Sequence, residues 1–197
     1  GIMCKLKTQF KTLLTVLIVM CSFNTIVAQE SKVVLAESKL EVFGTSNLHD
    51  WEIQAKAMSG KSTMSIEAAD LKAIKSLDFS VEVEQLKSGK NGMDNNTFKA
   101  LNSKIYKTIN FKLVSVSKIT KTTDGNFTVE TQGDLSIAGV TKRINQTFSV
   151  KVLGKKAVFS GKTKIDMTLY GVKPPTALMG TIKTGKDVTI DFKVTYN

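Results

Sequence analysis

Apolar and polar residues alternate along most of the chain. Trp51, Ile53, Ala55 and Ala57 alternate with Glu52, Gln54 and Lys56. Leu77, Phe79, Val81 and Val83 alternate with Asp78, Ser80, Glu82 and Glu84. The same period runs through Ile109, Phe111 and Leu113, through Ile144 to Val152 (with Gln146 on the apolar side), and through Val188 to Tyr196. A period of two puts each apolar set on one face of a strand and leaves the other face to water. Turn signals separate the runs. Asp124-Gly125 lies between Ile119 and Phe127, and Gly154-Lys155-Lys156 between Val152 and Ala157. Gly60-Lys61 does the same before Met64 and Ile66, and Pro174-Pro175 marks a loop that cannot join a central strand.

One stretch departs from this pattern. Between Met93 and Tyr106 the apolar residues Phe98, Leu101 and Ile105 have helical spacing, with Asp94, Asn95 and Asn96 as candidate N-caps. The pattern predicts an all-β fold in which one short helix interrupts a series of antiparallel strands. Two architectures satisfy it: a two-sheet sandwich, or a closed antiparallel barrel of about eight strands, which has no exposed edges. The inward set is Phe, Leu, Ile, Val and Met, so a cavity in such a barrel would be apolar.

Residues 1–28 read differently. Lys5, Lys7 and Lys11 precede an apolar run from Leu13 to Cys21, followed by Ile26-Val27-Ala28 and Gln29. This is the three-part pattern of a secretory signal peptide, with cleavage expected after Ala28 and the mature domain at residues 29–197. The apolar run is roughly half the ~20 residues of a bilayer span, so no stable membrane span is expected in the mature form. Cys21 follows Met20, not the small residue usual before a lipid-attachment cysteine. Both cysteines, Cys4 and Cys21, lie in the leader, which excludes disulfides, thiolate chemistry and Cys-ligated zinc from the mature domain. The expected location is periplasmic or secreted.

Charge changes the picture little. The net charge is +11, and removing the leader's three lysines leaves 25 basic against 17 acidic residues, or +8. Arg143 is the only arginine, and the lysines are spread over polar faces. A solvated surface accounts for them, and nucleic acid is not an expected partner of an exported chain.

Three stretches resemble the YceI-like family. The segment from Asn91 to Leu113 is similar to that family's helix-then-strand region, with Asp94, Leu101, Tyr106, Ile109 and Phe111 matching and Lys107 where proline is usual. Gly133 to Ile144, "GDLSIAGVTKRI", resembles its Gly-Asp-Leu-x-Ile-x-Gly-Val-Thr hallmark. "KIDMTLYGV" and "GKDVTIDFKV" are similar to its closing strands, and "GTSNLHDWE" to its opening strand pair. The resemblance spans nearly the whole mature chain. It implies an exported lipocalin-like β-barrel holding a long isoprenoid or other lipidic amphiphile in an elongated apolar cavity. An isoprenoid quinone or polyprenyl lipid is then the expected ligand, with no other cofactor. A homodimer is compatible with it, though the sequence names no interface. The Arg-Asp pair frequent before the family's helix is absent, since Met93 precedes Asp94, and so is a histidine before the helix leucine. A headgroup contact made there by relatives is therefore in doubt.

Candidate chemistry centres on Gly44–Glu52, which holds the sole histidine and the sole tryptophan. Catalysis is not expected. Neighbouring strand residues point to opposite faces, so Asp50 is poorly placed to orient His49. The serines lack a nucleophile-elbow context, and one histidine is too few for a zinc site. His49 and Trp51 share parity and can face inward together, as a headgroup donor and a cavity wall; otherwise they mark a strand start at the barrel mouth. Phe98, Leu101 and Ile105 either plug one end or form a lid. Phe79, Phe111, Phe148, Phe159 and Tyr170 are inward aromatic candidates, as core or as ligand contacts. Met64, Met167 and Met179 are adaptable fillers suited to either role. The candidate ligand contacts are thus His49, Trp51, Phe79, Phe98, Leu101, Phe111, Phe148, Tyr170 and Met179. The competing function is a filled barrel serving as a structural or protein-interaction module of the cell envelope. The interior decides between them.

Overall fold

A computed structural model describes residues 28–197. The expected leader, its two cysteines and the question of lipid attachment fall in residues 1–27, outside the described part. The strands are β1 (Gln29–Lys32), β2 (Lys39–Ser46), β3 (Trp51–Ala55), β4 (Met58–Ser59), β5 (Lys61–Glu67), β6 (Asp70–Glu82) and β7 (Leu86–Lys87). After helix α1 (Asn91–Ala100) come β8 (Thr108–Lys121), β9 (Phe127–Ile137), β10 (Val140–Leu153), β11 (Lys156–Asp166), β12 (Thr176–Ala177) and β13 (Ile182–Tyr196).

The long strands form one antiparallel sheet in the order β6-β8-β9-β10-β11-β13-β2-β3. The sheet then returns to its start. β4 continues β3 and pairs with β6 through Met58↔Val81, and β3 pairs with β7 through Ala55↔Leu86. Between them, the Lys56 amide donates to Gln85 O at 2.8 Å, and the Glu82 amide to Ala57 O at 3.2 Å. A second seam lies at the other end, where β1 pairs β5 and reaches the end of β13. Lys32 and Asn197 exchange backbone hydrogen bonds there at 3.0 and 2.9 Å. The result is an antiparallel lipocalin-like barrel of eight staves with one helix, and of the two expected architectures it is the barrel.

Alternation places the inward residues as expected. Phe127, Val129, Leu135 and Ile137 of β9 are buried while Thr128, Glu130 and Ser136 lie outside. The half of the barrel near the seam at β1 is solid. Phe159, Val129, Val150, Ala157 and Tyr196 are at most 2% exposed, and the Tyr196 hydroxyl donates to Asp78 O at 2.8 Å.

The hallmark stretch has a steric basis. β9 turns into β10 through Ala138 and Gly139, both left-handed, with φ of 47° and 81°. This is the two-residue turn whose twist suits a hairpin. A Cβ on Gly139 would also lie 2.5 Å from the Tyr106 ring, and one on Gly133 would lie 2.2 Å from the Phe111 ring. Both glycines therefore make room for aromatic residues of the Asn91–Leu113 stretch. Asp134 and Arg143 face each other across β9 and β10 and pair at 2.6 Å on the outer face.

The helix differs from expectation at both ends. It starts at Asn91 and stops at Ala100, with Asn102 left-handed at φ 52°. Ile105 thus lies beyond it and is 67% exposed, so Phe98, Leu101 and Ile105 share no helical face. Asp94 is not the N-cap, a position held by Lys90 without a side-chain bond. It sits one turn in, is buried, and accepts from the Ser88 amide at 2.8 Å and the Ser88 hydroxyl at 2.6 Å. Burial raises its carboxyl pKa, but the Ser88 bonds and nearby Lys87 outweigh this and the net shift is downward. Asp94→Ala should cost about 1.5–3 kcal/mol in denaturant unfolding, because it removes charge-assisted bonds that tie the helix to the loop leading in from β7.

Candidate functional site

The barrel is open at the end where β2 stops and β3 begins. A cavity of about 1050 Å³ lies there, roofed by α1 and by the segment between β11 and β13. Met93, Asn96, Ala100 and Leu101 line it from the helix side, and Met167, Val172, Leu178 and Met179 from the other. Below it, a narrower apolar channel of about 130 Å³ runs toward the solid half. Val42, Leu86, Ile109, Ile165 and Ile190 line both spaces and form the throat between them.

Aromatic rings set the channel floor. Phe148 meets Phe111, Phe159 and Phe192 edge-on, with ring centroids 5.9, 5.7 and 5.9 Å apart. Such edge-to-face contacts favour a fixed arrangement. Gln146 and Thr163 are the polar exceptions, and they pair with each other. The Gln146 side-chain carbonyl oxygen accepts from Thr163 and its amide donates to Thr147 O at 2.9 Å, so its side chain is partnered within the wall.

His49 and Trp51 both line the mouth cavity. Trp51 lies across its strand partner Gly44, where a Cβ would be 2.0 Å from the indole. Its Nε1 donates to Thr45 O at 3.0 Å. His49 is in the exposed loop before β3, with Nδ1 2.6 Å from the backbone carbonyl of Asp50. A carbonyl only accepts, so Nδ1 carries a proton and the neutral ring offers Nε2 as an acceptor.

Asp166 anchors the far side of the mouth. Its carboxylate accepts from Lys186 Nζ at 2.5 Å and from the Thr168 hydroxyl and amide at 2.5 and 3.0 Å. The hydrogen bond from Lys186, with those from Thr168, holds its pKa down at about 2. A depressed carboxylate stabilises the fold above its unfolded pKa near 3.9 and ceases to do so as pH falls through the folded value. The turn Met167–Tyr170 should therefore stay closed from neutral pH to about pH 4 and loosen toward pH 2. Amide exchange at Thr168 and Gly171 should follow that window in the native protein and lose the dependence in Asp166→Asn.

The other expected contacts divide by position. Phe79, Phe111 and Phe148 line the deep channel, and Leu101 and Met179 line the mouth. Phe98 and Tyr170 do not line either space. Phe98 points to the helix flank under Lys87, whose Nζ is 4.9 Å above the ring. Tyr170 is buried against the inward-facing residues Leu135, Ile137 and Val172 without reaching either space. The throat aliphatics were missed as a group. Their alternation marks them as inward, but only closure of the barrel brings five different strands to one ring. Among the described residues, no group of three or more His, Cys, Asp or Glu side chains is placed to hold a metal ion. Nor is any helix there long and apolar enough to cross a membrane.

The family model for the YceI-like domain matches residues 25–196. The sequence has no significant match among curated proteins. Among solved structures, BcnA from Burkholderia cenocepacia superposes with a TM-score of 0.66 at 18% identity, over 83% of this chain and 98% of that one. A polyisoprenoid-binding domain from Saccharophagus degradans, described as implicated in plant cell wall breakdown, gives 0.63 at 14% identity, over 87% and 99%. A YceI protein of Campylobacter jejuni gives 0.53 at 20% identity, over 71% and 80%. At these identities the structures establish a shared fold.

Proposed function

The chain belongs to the YceI-like domain family, and from that premise we propose that it binds the apolar chain of an isoprenoid or similar long amphiphile inside its barrel. The observation that carries the reading is the cavity of about 1050 Å³ that narrows through an aliphatic throat to an aromatic floor. Its shape suits a chain inserted tail first. Each methylene taken from water contributes about 0.8 kcal/mol, so a chain several isoprene units long needs no charged anchor to bind. A solid barrel acting only as an envelope module fits the lower half of the molecule but leaves this volume unexplained. The name of the Saccharophagus degradans relative supports the same ligand class.

In this reading the protein is an exported carrier in the periplasm, which sequesters the lipid tail from water while the headgroup stays at the mouth. Binding requires no bond making or breaking. The segments around α1 and Pro174-Pro175 move to admit the chain. His49 is the headgroup contact, accepting a hydrogen bond through Nε2 when neutral and donating one when protonated. His49→Ala should leave stability unchanged within about 0.5 kcal/mol. It should weaken binding of a lipid with a hydrogen-bonding headgroup by about 3- to 10-fold, and leave a plain polyprene unaffected. Equal affinity of both proteins for a polyprenyl phosphate would remove His49 from the site.

Trp51 is the only tryptophan and lies at the mouth, so it reports occupancy directly. Titrating the purified protein with an isoprenoid quinone should quench its fluorescence saturably, to one ligand per barrel. No quenching by quinone and no uptake of polyprenyl phosphate would refute the proposal.

A further inference from the structure

We propose that the open end of the barrel is also a docking surface for an anionic lipid bilayer. The most exposed large apolar side chains are concentrated there, whereas Leu35 and Leu153 at the opposite end are 45% and 50% exposed. Leu48 is 64% exposed, Leu178 72% and Met179 fully exposed, and Ile105, Tyr106 and Leu169 lie at the same end. Leu48 and the Leu178-Met179 pair form one patch. Asn47 ties their two loops together, donating to Thr181 O at 2.9 Å and accepting from the Lys183 amide at 2.7 Å. Leu178 and Met179 are both left-handed, at φ 48° and 56°, a conformation rare for such side chains. The loop thus holds two apolar tips outward at a backbone cost, beside the cavity they help to line.

Charge selects the partner. The segments around the mouth, residues 47–50, 87–107 and 166–187, carry eight lysines and four aspartates. Asp94 is buried, Asp166 is paired with Lys186 and Asp187 with Lys164, which leaves Asp50. Lys90, Lys173 and Lys183 are exposed at the rim and make no ion pair among the described residues. At the opposite end, Lys61, Lys121 and Lys156 pair with Glu30, Asp70 and Glu37 respectively, while Lys32, Lys151 and Lys155 are exposed and make no ion pair among the described residues. Strongly exposed apolar tips among unneutralised lysines match the interface of an anionic bilayer: the tips enter the acyl boundary and the lysines meet the phosphates. The mouth would then face the membrane, and a lipid chain could pass between bilayer and barrel without crossing water.

The test is vesicle flotation of the protein purified from its own cells. Vesicles of phosphatidylglycerol with phosphatidylethanolamine are compared with vesicles of phosphatidylcholine alone. The expected result is binding to the anionic vesicles, little to the neutral ones, and weakening with salt. Leu48→Asp with Met179→Asp should reduce binding at least 10-fold, and Lys183→Gln about fivefold, with unchanged melting temperature because all three side chains are exposed. No flotation with anionic vesicles, or flotation unaltered by these substitutions, would overturn the proposal. So would a dimer in light scattering that the same double substitution dissolves, since the patch would then join two copies of this chain. Neither arm depends on the quinone titration, so the two proposals fail separately.

Discussion

Phe148→Ala is expected to destabilise the domain by about 3–5 kcal/mol, the range for removing a buried aromatic side chain. Phe148 is 6% exposed and touches three other rings, so its neighbours have little freedom to collapse into the space. A loss of this size is a large part of the stability of a typical domain. The residue also lines the deep channel with Phe111, Phe159 and Phe192. Its removal should therefore deepen the channel as well as weaken the core. Phe148→Leu keeps much of the volume and should cost considerably less. Denaturant unfolding of both variants gives the stability order, and the chain length of retained lipid reports the depth. If Phe148→Ala costs under about 1 kcal/mol, the rings are not a packed floor.

Ile190→Trp should abolish ligand uptake while leaving the fold intact. Ile190 lies in the throat, where its strand partners are Thr163 and Val42. A larger ring at a packed position would cost about 1–3 kcal/mol. Here it grows into open volume, so a smaller cost is expected. The wall is continuous around the throat, and an indole there separates the mouth from the channel. Affinity for a polyprenyl phosphate should fall by at least about 100-fold, measured by mass spectrometry because the new tryptophan confounds fluorescence. Full affinity in a folded Ile190→Trp protein would mean that the ligand stays in the mouth and never enters the channel.

The wall of the barrel was legible because its strands are amphipathic and long. The alternations at Leu77–Val83, Ile144–Val152 and Val188–Tyr196 became β6, β10 and β13 with the expected inward faces. β8 is harder to read beyond Leu113, because register shifts against β9 on either side of Ser115 and Val116 break the period. The seam that closes the barrel was also hidden. It uses the short strands β4 and β7 and single backbone bonds at Lys56 and Glu82, which leave no hydrophobic pattern. The helix ended early because Leu101 and Asn102 turn away, although Ile105 continues its spacing.

The lining of the candidate site was legible in part. Parity alone was enough to place Trp51, Phe79, Phe111 and Phe148 on an inward face. It says nothing of a neighbouring loop's position, and so it could not separate Tyr170, which is buried in the core cluster beside the cavity, from Met167 on the same short turn, which faces the cavity. Phe98 lies outside both spaces for a related reason. A short helix lying across a barrel end shows only part of its circumference to the cavity, and Lys87 covers the flank that holds Phe98. The size of the mouth depends on the segment from Met167 to Thr181, whose course no local pattern encodes.

The most direct test of ligand binding is native mass spectrometry of the protein purified from its own cells, followed by solvent extraction. The expected result is one barrel carrying one extractable lipid with a long apolar chain, lost in Ile190→Trp. A ligand-free mass, with no uptake of added isoprenoid quinone or polyprenyl phosphate, would contradict it.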